Sequence, residues 1–171
     1  MRRVLIAAAA AAGLGALVAP MTLRPSPVLL WNATASAPIG LYLVHARRTL
    51  AVGDWVAARP PAGFATLFAE RRYLPLGVSL VKRIAAISPQ RVCRFGGRVS
   101  VDQRTVAWAR SDDKAGRLLP AWSGCRRLRR GELLMLNSAP DSLDGRYFGP
   151  NVDRDIVGRL TPLWIVRGAP R

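Results

Sequence analysis

The sequence predicts a mainly β domain behind a single N-terminal apolar helix. Three observations carry that expectation: an uncharged run at 4–23, a series of short alternating apolar segments separated by Gly and Pro, and only one short stretch elsewhere with helical spacing. A chain of 171 residues, half of them apolar and without an internal repeat, suits one domain plus an appendage.

Residues 4–23 contain no charge and follow Met1-Arg2-Arg3. As a helix they would be about 30 Å long, the thickness of a bilayer's hydrocarbon core. Arg2 and Arg3 keep the N-terminus cytoplasmic and send the rest across. Two readings stay open for 1–23, an uncleaved membrane anchor or a cleavable secretory signal with small residues near Ala16 and Ala19. Both put residues 24–171 outside the cytoplasm, facing the periplasm or cell exterior.

Beyond the anchor, strands are expected at 39–46, 51–58, 78–87, 91–95, 99–101, 105–109, 133–137 and 163–166, where apolar and polar residues alternate or β-branched residues cluster. A short helix is expected at 64–74. Gly96-Gly97 between two strand-like pieces reads as a hairpin turn. The apolar group Val28-Leu29-Leu30-Trp31 suits either a membrane interface or a first core strand.

Composition excludes several chemistries. One His and two Cys fall short of the three or four ligands that a zinc site takes, so neither metal nor cofactor is expected. His45 lies in an alternating run and reads as a strand residue rather than a catalytic base. Cys93 and Cys125, in an oxidising compartment, either form one disulfide or remain two buried thiols. The net charge is +16, but the arginines are scattered in pairs such as Arg47-Arg48, Arg71-Arg72 and Arg126-Arg127. No recognition helix or RNA-binding aromatic signature accompanies them, so nucleic acid is not an expected partner.

Of 26 basic residues, 24 are Arg and only Lys82 and Lys114 are Lys. Lys114 sits in a polar loop. Lys82 interrupts the apolar run 78–87, with Leu80 and Ile84 on its face of a strand. Desolvation lowers a lysine's pKa toward neutrality, where it can act as a base, and arginine cannot follow it there. The alternative is a lysine with its stem on apolar surface and its head in water. A nucleophile is available in Ser36, which precedes Pro38 and Gly40 in a constrained turn. The Thr34 hydroxyl, two residues earlier, and the Ser36 amide together suit an oxyanion hole.

Asn32-x-Thr34-x-Ser36-x-Pro38-x-Gly40-x-Tyr42, Val52-Gly53-Asp54-x-Val56, Val81-Lys82-Arg83-Ile84 and Ser142-x-Asp144-Gly145-Arg146-Tyr147-Phe148-Gly149-Pro150 follow one another in this order. In that order they resemble the successive motifs of the type I signal peptidase family, and most of all its TraF conjugative-transfer branch. The resemblance runs from about residue 32 to 166. It implies a signal-peptidase-like β domain and a membrane-anchored serine endopeptidase with Ser36 as nucleophile and Lys82 as general base. It further implies Thr34 and the Ser36 amide as the oxyanion hole, with Asp144 and Arg146 as a supporting ion pair. The implied partners are the membrane and an exported protein precursor, in the conjugative branch a pilin that is trimmed or cyclised. General secretory signal peptidase activity and an inactive scaffold of a transfer apparatus are the alternatives.

Three positions depart from the family pattern. Gly145 stands where a second serine of Ser-x-Asp-Ser-Arg is expected to orient the lysine, so a serine placed at 145 is expected to raise the rate. Ser88-Pro89-Gln90 replaces Pro-Gly-Asp, and Leu136-Asn137-Ser138 replaces Gly-Asp-Asn, which is expected to affect a structural turn only.

Overall fold

The computed structural model describes residues 2–23, 28–46 and 49–166; the side chains of Arg3 and of 16–23 lie outside the described part. Ala16, Ala19, Arg47 and Arg48, named above, fall there too.

A helix, α1 (Arg2–Leu23), forms over the uncharged run. Among the described residues, however, no helix is long and apolar enough to cross a membrane. A membrane-spanning N-terminal helix is therefore not supported by the fold. Val4, Leu5, Ile6 and Leu14 on it are all exposed.

Eleven strands among the described residues make the rest a mainly β structure: β1 (Leu29–Asn32), β2 (Gly40–His45), β3 (Trp55–Ala58), β4 (Leu80–Ile87), β5 (Arg91–Phe95), β6 (Arg98–Val101), β7 (Arg104–Trp108), β8 (Gly124–Arg127), β9 (Glu132–Leu136), β10 (Asn151–Val152) and β11 (Ile156–Ile165). Two short helices join them, α2 (Ala62–Glu70) and α3 (Gly145–Phe148). The larger sheet runs β1-β2-β11-β3-β4-β9-β10 and the smaller β7-β6-β5-β8. Every pairing is antiparallel.

Alternation along β3 and β4 divides the core. Val56, Ala58 and Ile84 pack with Leu133, Met135 and Ile156, whereas Ala57 and Val81 pack with Ala37, Tyr42 and Leu160. Leu80 joins Phe68 and Leu74 under α2. The Gly53-Asp54 turn locks β3 to β4, because the Gly53 amide donates to Ile84 O at 2.8 Å and the Ile84 amide donates to Asp54 O at 2.9 Å. Gly53 takes φ +96°, which glycine reaches without strain.

Differences from the expected elements have local causes. The last strand begins at Ile156 rather than 163, because Gly158 and Pro162 break its pattern while the chain still pairs. A Cβ on Gly158 would lie 2.5 Å from His45 O, so the glycine is what lets β11 approach β2. β8, with the sequence Gly-Cys-Arg-Arg, has no apolar alternation and is held by β5 and the bond between Cys93 and Cys125, which stand opposite each other. Residues 51–54 form the turn, leaving β3 shorter than 51–58. α2 stops at Glu70, and Arg72 with φ 57° turns the chain away.

Candidate active site

β1 and β2 form a hairpin whose loop, 33–39, carries Thr34 and Ser36. Asn32, at the end of β1 and only 4% exposed, holds that loop together. Its Nδ2 donates to Thr34 O, Ala37 O and Pro38 O at 3.0, 3.2 and 3.0 Å. Its Oδ1 accepts from the Thr34 amide at 3.2 Å and from the Thr34 hydroxyl at 2.9 Å. The buried Tyr42 adds a hydroxyl bond to Pro38 O at 2.6 Å. At the loop's exit a Cβ on Gly40 would stand 2.0 Å from Trp164 O, so no other residue fits there. Ser36 is thus half-buried on a backbone fixed from both sides. The Thr34 hydroxyl proton is engaged by Asn32.

Lys82 lies in β4 opposite Val56 and is 3% exposed. Its Nζ donates to Ser142 Oγ at 2.8 Å. Burial pushes the amine down to about 8, against an upward pull from the Asp144 carboxylate; Arg146 adds a smaller downward push and Asp141 a smaller upward pull. The group that orients the lysine is therefore Ser142, the first serine of the 142–150 motif. Gly145 cannot have that task in any form, since a Cβ there would lie 2.6 Å from Leu134 Cδ1 and 2.8 Å from Met135 O.

Ser142 is set by the loop that leads into α3. Asp144 is wholly buried and accepts from the Asn137 amide at 3.0 Å, the Arg146 amide at 3.1 Å and Arg146 Nε at 3.1 Å. The Arg146 guanidinium continues to Ala139 O at 2.9 Å, Pro140 O at 3.2 Å and Asn137 O. Asp144 and Arg146 are thus an ion pair that ties the loop into one piece. Asn137, which sequence reasoning treated as part of a structural turn, reaches the site directly. Its Nδ2 donates to Val81 O at 3.0 Å and its Oδ1 accepts from the Arg83 amide at 3.1 Å, the two residues flanking Lys82.

Thr34, Ser36, Lys82 and Ser142 line one cleft of about 920 Å³. Leu30, Leu80 and Val81 give it an apolar wall, and Arg110, Lys114 and Asp141 a charged rim. Asp144 and Arg146 stand behind the cleft rather than in it. His45 is elsewhere, on β2, with its Nε2 paired to Thr161 Oγ1 at 2.9 Å. Cys93 and Cys125 belong to the smaller sheet. Among the described residues no group of three or more His, Cys, Asp or Glu is disposed to hold a metal ion. The arrangement offers a partly exposed hydroxyl and a desolvated amine in one open cleft, the components of nucleophilic catalysis.

The chain matches the family described as signal peptidase, peptidase S26, over residues 1–164. The conjugal transfer protein TraF of Agrobacterium tumefaciens (strain 15955) is 32% identical over 146 residues, spanning 78% of this chain and 80% of the relative. A plasmid transfer protein TraF of Escherichia coli is 32% identical over 130 residues, or 70% and 72% of the two chains. A signal peptidase I of Enterococcus faecalis V583 superposes with a TM-score of 0.39 at 16% identity, covering 68% of this chain and 100% of that one.

Proposed function

This chain belongs to the signal peptidase family, peptidase S26, and on that premise we propose that it is a serine endopeptidase working through a Ser36/Lys82 dyad. The observation that carries the reading is Lys82, buried, held by Ser142 and lining the same cleft as Ser36. With its amine at about 8, roughly a tenth of Lys82 is neutral at pH 7, enough to serve as a base.

In this reading Lys82 Nζ takes the Ser36 proton as Oγ bonds to the substrate carbonyl. The oxyanion is met by the Ser36 amide and by the Thr34 hydroxyl once it turns from Asn32. Collapse breaks the C–N bond, the leaving amine takes the proton back from Lys82, and an acyl-enzyme remains. Water then releases a trimmed acid, or the substrate's own N-terminal amine closes a ring. Neither metal nor cofactor takes part.

The substrate in this reading is an exported precursor, a conjugative pilin, since the relatives are described as transfer proteins. Work at the periplasmic surface of the inner membrane is part of the proposal, with 1–23 as anchor or removed signal. An exposed apolar strip supports it: Val28, Leu29, Trp31, Leu163 and Trp164, with the two indoles 5.7 Å apart where both register on Leu41. Such aromatics favour the membrane interface.

The test is cleavage of a pilin precursor and of a secretory preprotein by the purified full chain, its Ser36→Ala and its Lys82→Met variants. Mass spectrometry reads the acyl-enzyme and separates a linear product from a cyclic one, lighter by one water. Cleavage that persists in either variant defeats the dyad, and preference for the secretory preprotein defeats the pilin assignment.

A further inference from the structure

α3 is a single turn, closed by the Gly149 amide donating to Gly145 O at 3.0 Å, and two of its carbonyls, Gly145 O and Arg146 O, also accept from side chains outside it. The smaller sheet and its approach supply these two donors. Trp122 Nε1 donates to Gly145 O at 2.9 Å, and its ring lies 3.6 Å from where a Cβ of Gly149 would stand, so one indole touches both ends of α3. Arg94, in β5 and 4% exposed, donates through Nε to Gly96 O at 3.0 Å and through Nη1 to Arg146 O. Arg94 follows Cys93 in β5, and Trp122 lies just before β8, three residues ahead of Cys125, so the disulfide ties the strand that carries one donor to the strand that the other leads into.

From this we infer that Arg94 and Trp122 are positioning residues for the general base, holding α3 so that Ser142 and the Asp144/Arg146 pair stay set around Lys82. This rests on the dyad reading above. The charges acting on the Lys82 amine, Asp144, Arg146 and Asp141, all come from α3 and the loop before it, as does its hydrogen-bond acceptor Ser142. Release of α3 lets water reach the amine and removes its fixed acceptor, which weakens the desolvation that keeps Lys82 near 8. A general base set loosely also loses rate without loss of substrate binding.

The chain's two lysines make the test direct. In the full chain in detergent micelles, labelled at lysine Cε, Lys82 and Lys114 give two NMR signals, assigned with Lys82→Met. Trp122→Phe keeps a ring and removes one N–H; Arg94→Met keeps the stem and removes the guanidinium. Both variants are expected to move the Lys82 midpoint upward from about 8 toward 10.5. Acylation kcat is expected to fall about tenfold or more with KM unchanged. A Lys82 midpoint that stays at the wild-type value in folded Trp122→Phe, with activity following only the folded fraction, overturns the inference. Failure of the dyad itself shows separately, as cleavage by Ser36→Ala, and leaves the lysine titration to decide the coupling.

Discussion

Lys82 Nζ, on a side chain only 3% exposed, donates to Ser142 Oγ at 2.8 Å, so the amine's direction is set by a side chain sixty residues later in the chain. Ser142→Ala removes the acceptor and is expected to lower the acylation rate by about 10- to 100-fold, a range set by the loss of geometry at a general base. Ser142→Thr keeps the hydroxyl and is expected to be milder. Stopped-flow acylation with a precursor peptide measures both, and a wild-type rate in Ser142→Ala removes the serine from the mechanism.

Gly145→Ser is expected to harm rather than help. The new Cβ would press on Leu134 Cδ1 and Met135 O, and overpacking of this kind costs about 1–3 kcal/mol. A lower melting temperature together with a lower rate is the expected outcome, read by thermal unfolding and by acylation.

The lowered pKa of Lys82 carries a stability consequence with a definite sign. Between about 8 and 10.5 the unfolded chain binds a proton that the folded chain has released, so stability rises with pH through that window. The gain is lost again as pH falls toward 8, below which both states are protonated. The total is about 3 kcal/mol, and Lys82→Met is expected to flatten the slope. Denaturant unfolding between pH 7 and 11 measures it. Activity is expected to climb along an alkaline limb with its inflection near 8, while His45→Ala leaves the profile in place; a limb that vanishes in His45→Ala gives the role to the histidine.

Thr34→Val removes the hydroxyl at nearly constant volume and is expected to lower turnover by about 10²-fold with KM steady. Asn32→Leu removes five hydrogen bonds from the loop 33–39 and is expected to lower both melting temperature and rate. The two variants together separate a donor to the reaction from a support of the loop. Equal turnover in wild type and Thr34→Val means that the second oxyanion donor is another group.

Cys93 and Cys125 close a loop with a sequence separation of 32. Replacing both with Ser is expected to cost about 3–4 kcal/mol by the chain-entropy estimate. Two alkylated cysteines in the unreduced purified protein would mean that the bond does not form.

What the sequence determined by itself was local chemistry. A lysine in an apolar strand, a serine between Asn32 and Gly40, and the order of four motifs are all read along the chain, so Ser36, Thr34 and Lys82 could be named as candidates before any fold was known. The strands 39–46, 78–87, 91–95 and 133–137 were legible for the same reason, since each is a short apolar or alternating run contained within one segment. Tertiary structure decided what depends on distant partners. β8 exists because β5 pairs with it, and β11 starts at Ile156 because β3 pairs with it there, while Gly158 admits β2 on the other side. At the site, the resemblance pointed to position 145, yet Ser142 is the residue that meets the amine. Which of two nearby positions faces Lys82 is fixed by how Asp144, Arg146 and Asn137 fold the loop 137–144 against β4. That orientation is a property of hydrogen bonds between segments far apart in the chain, and spacing along a single segment does not encode it.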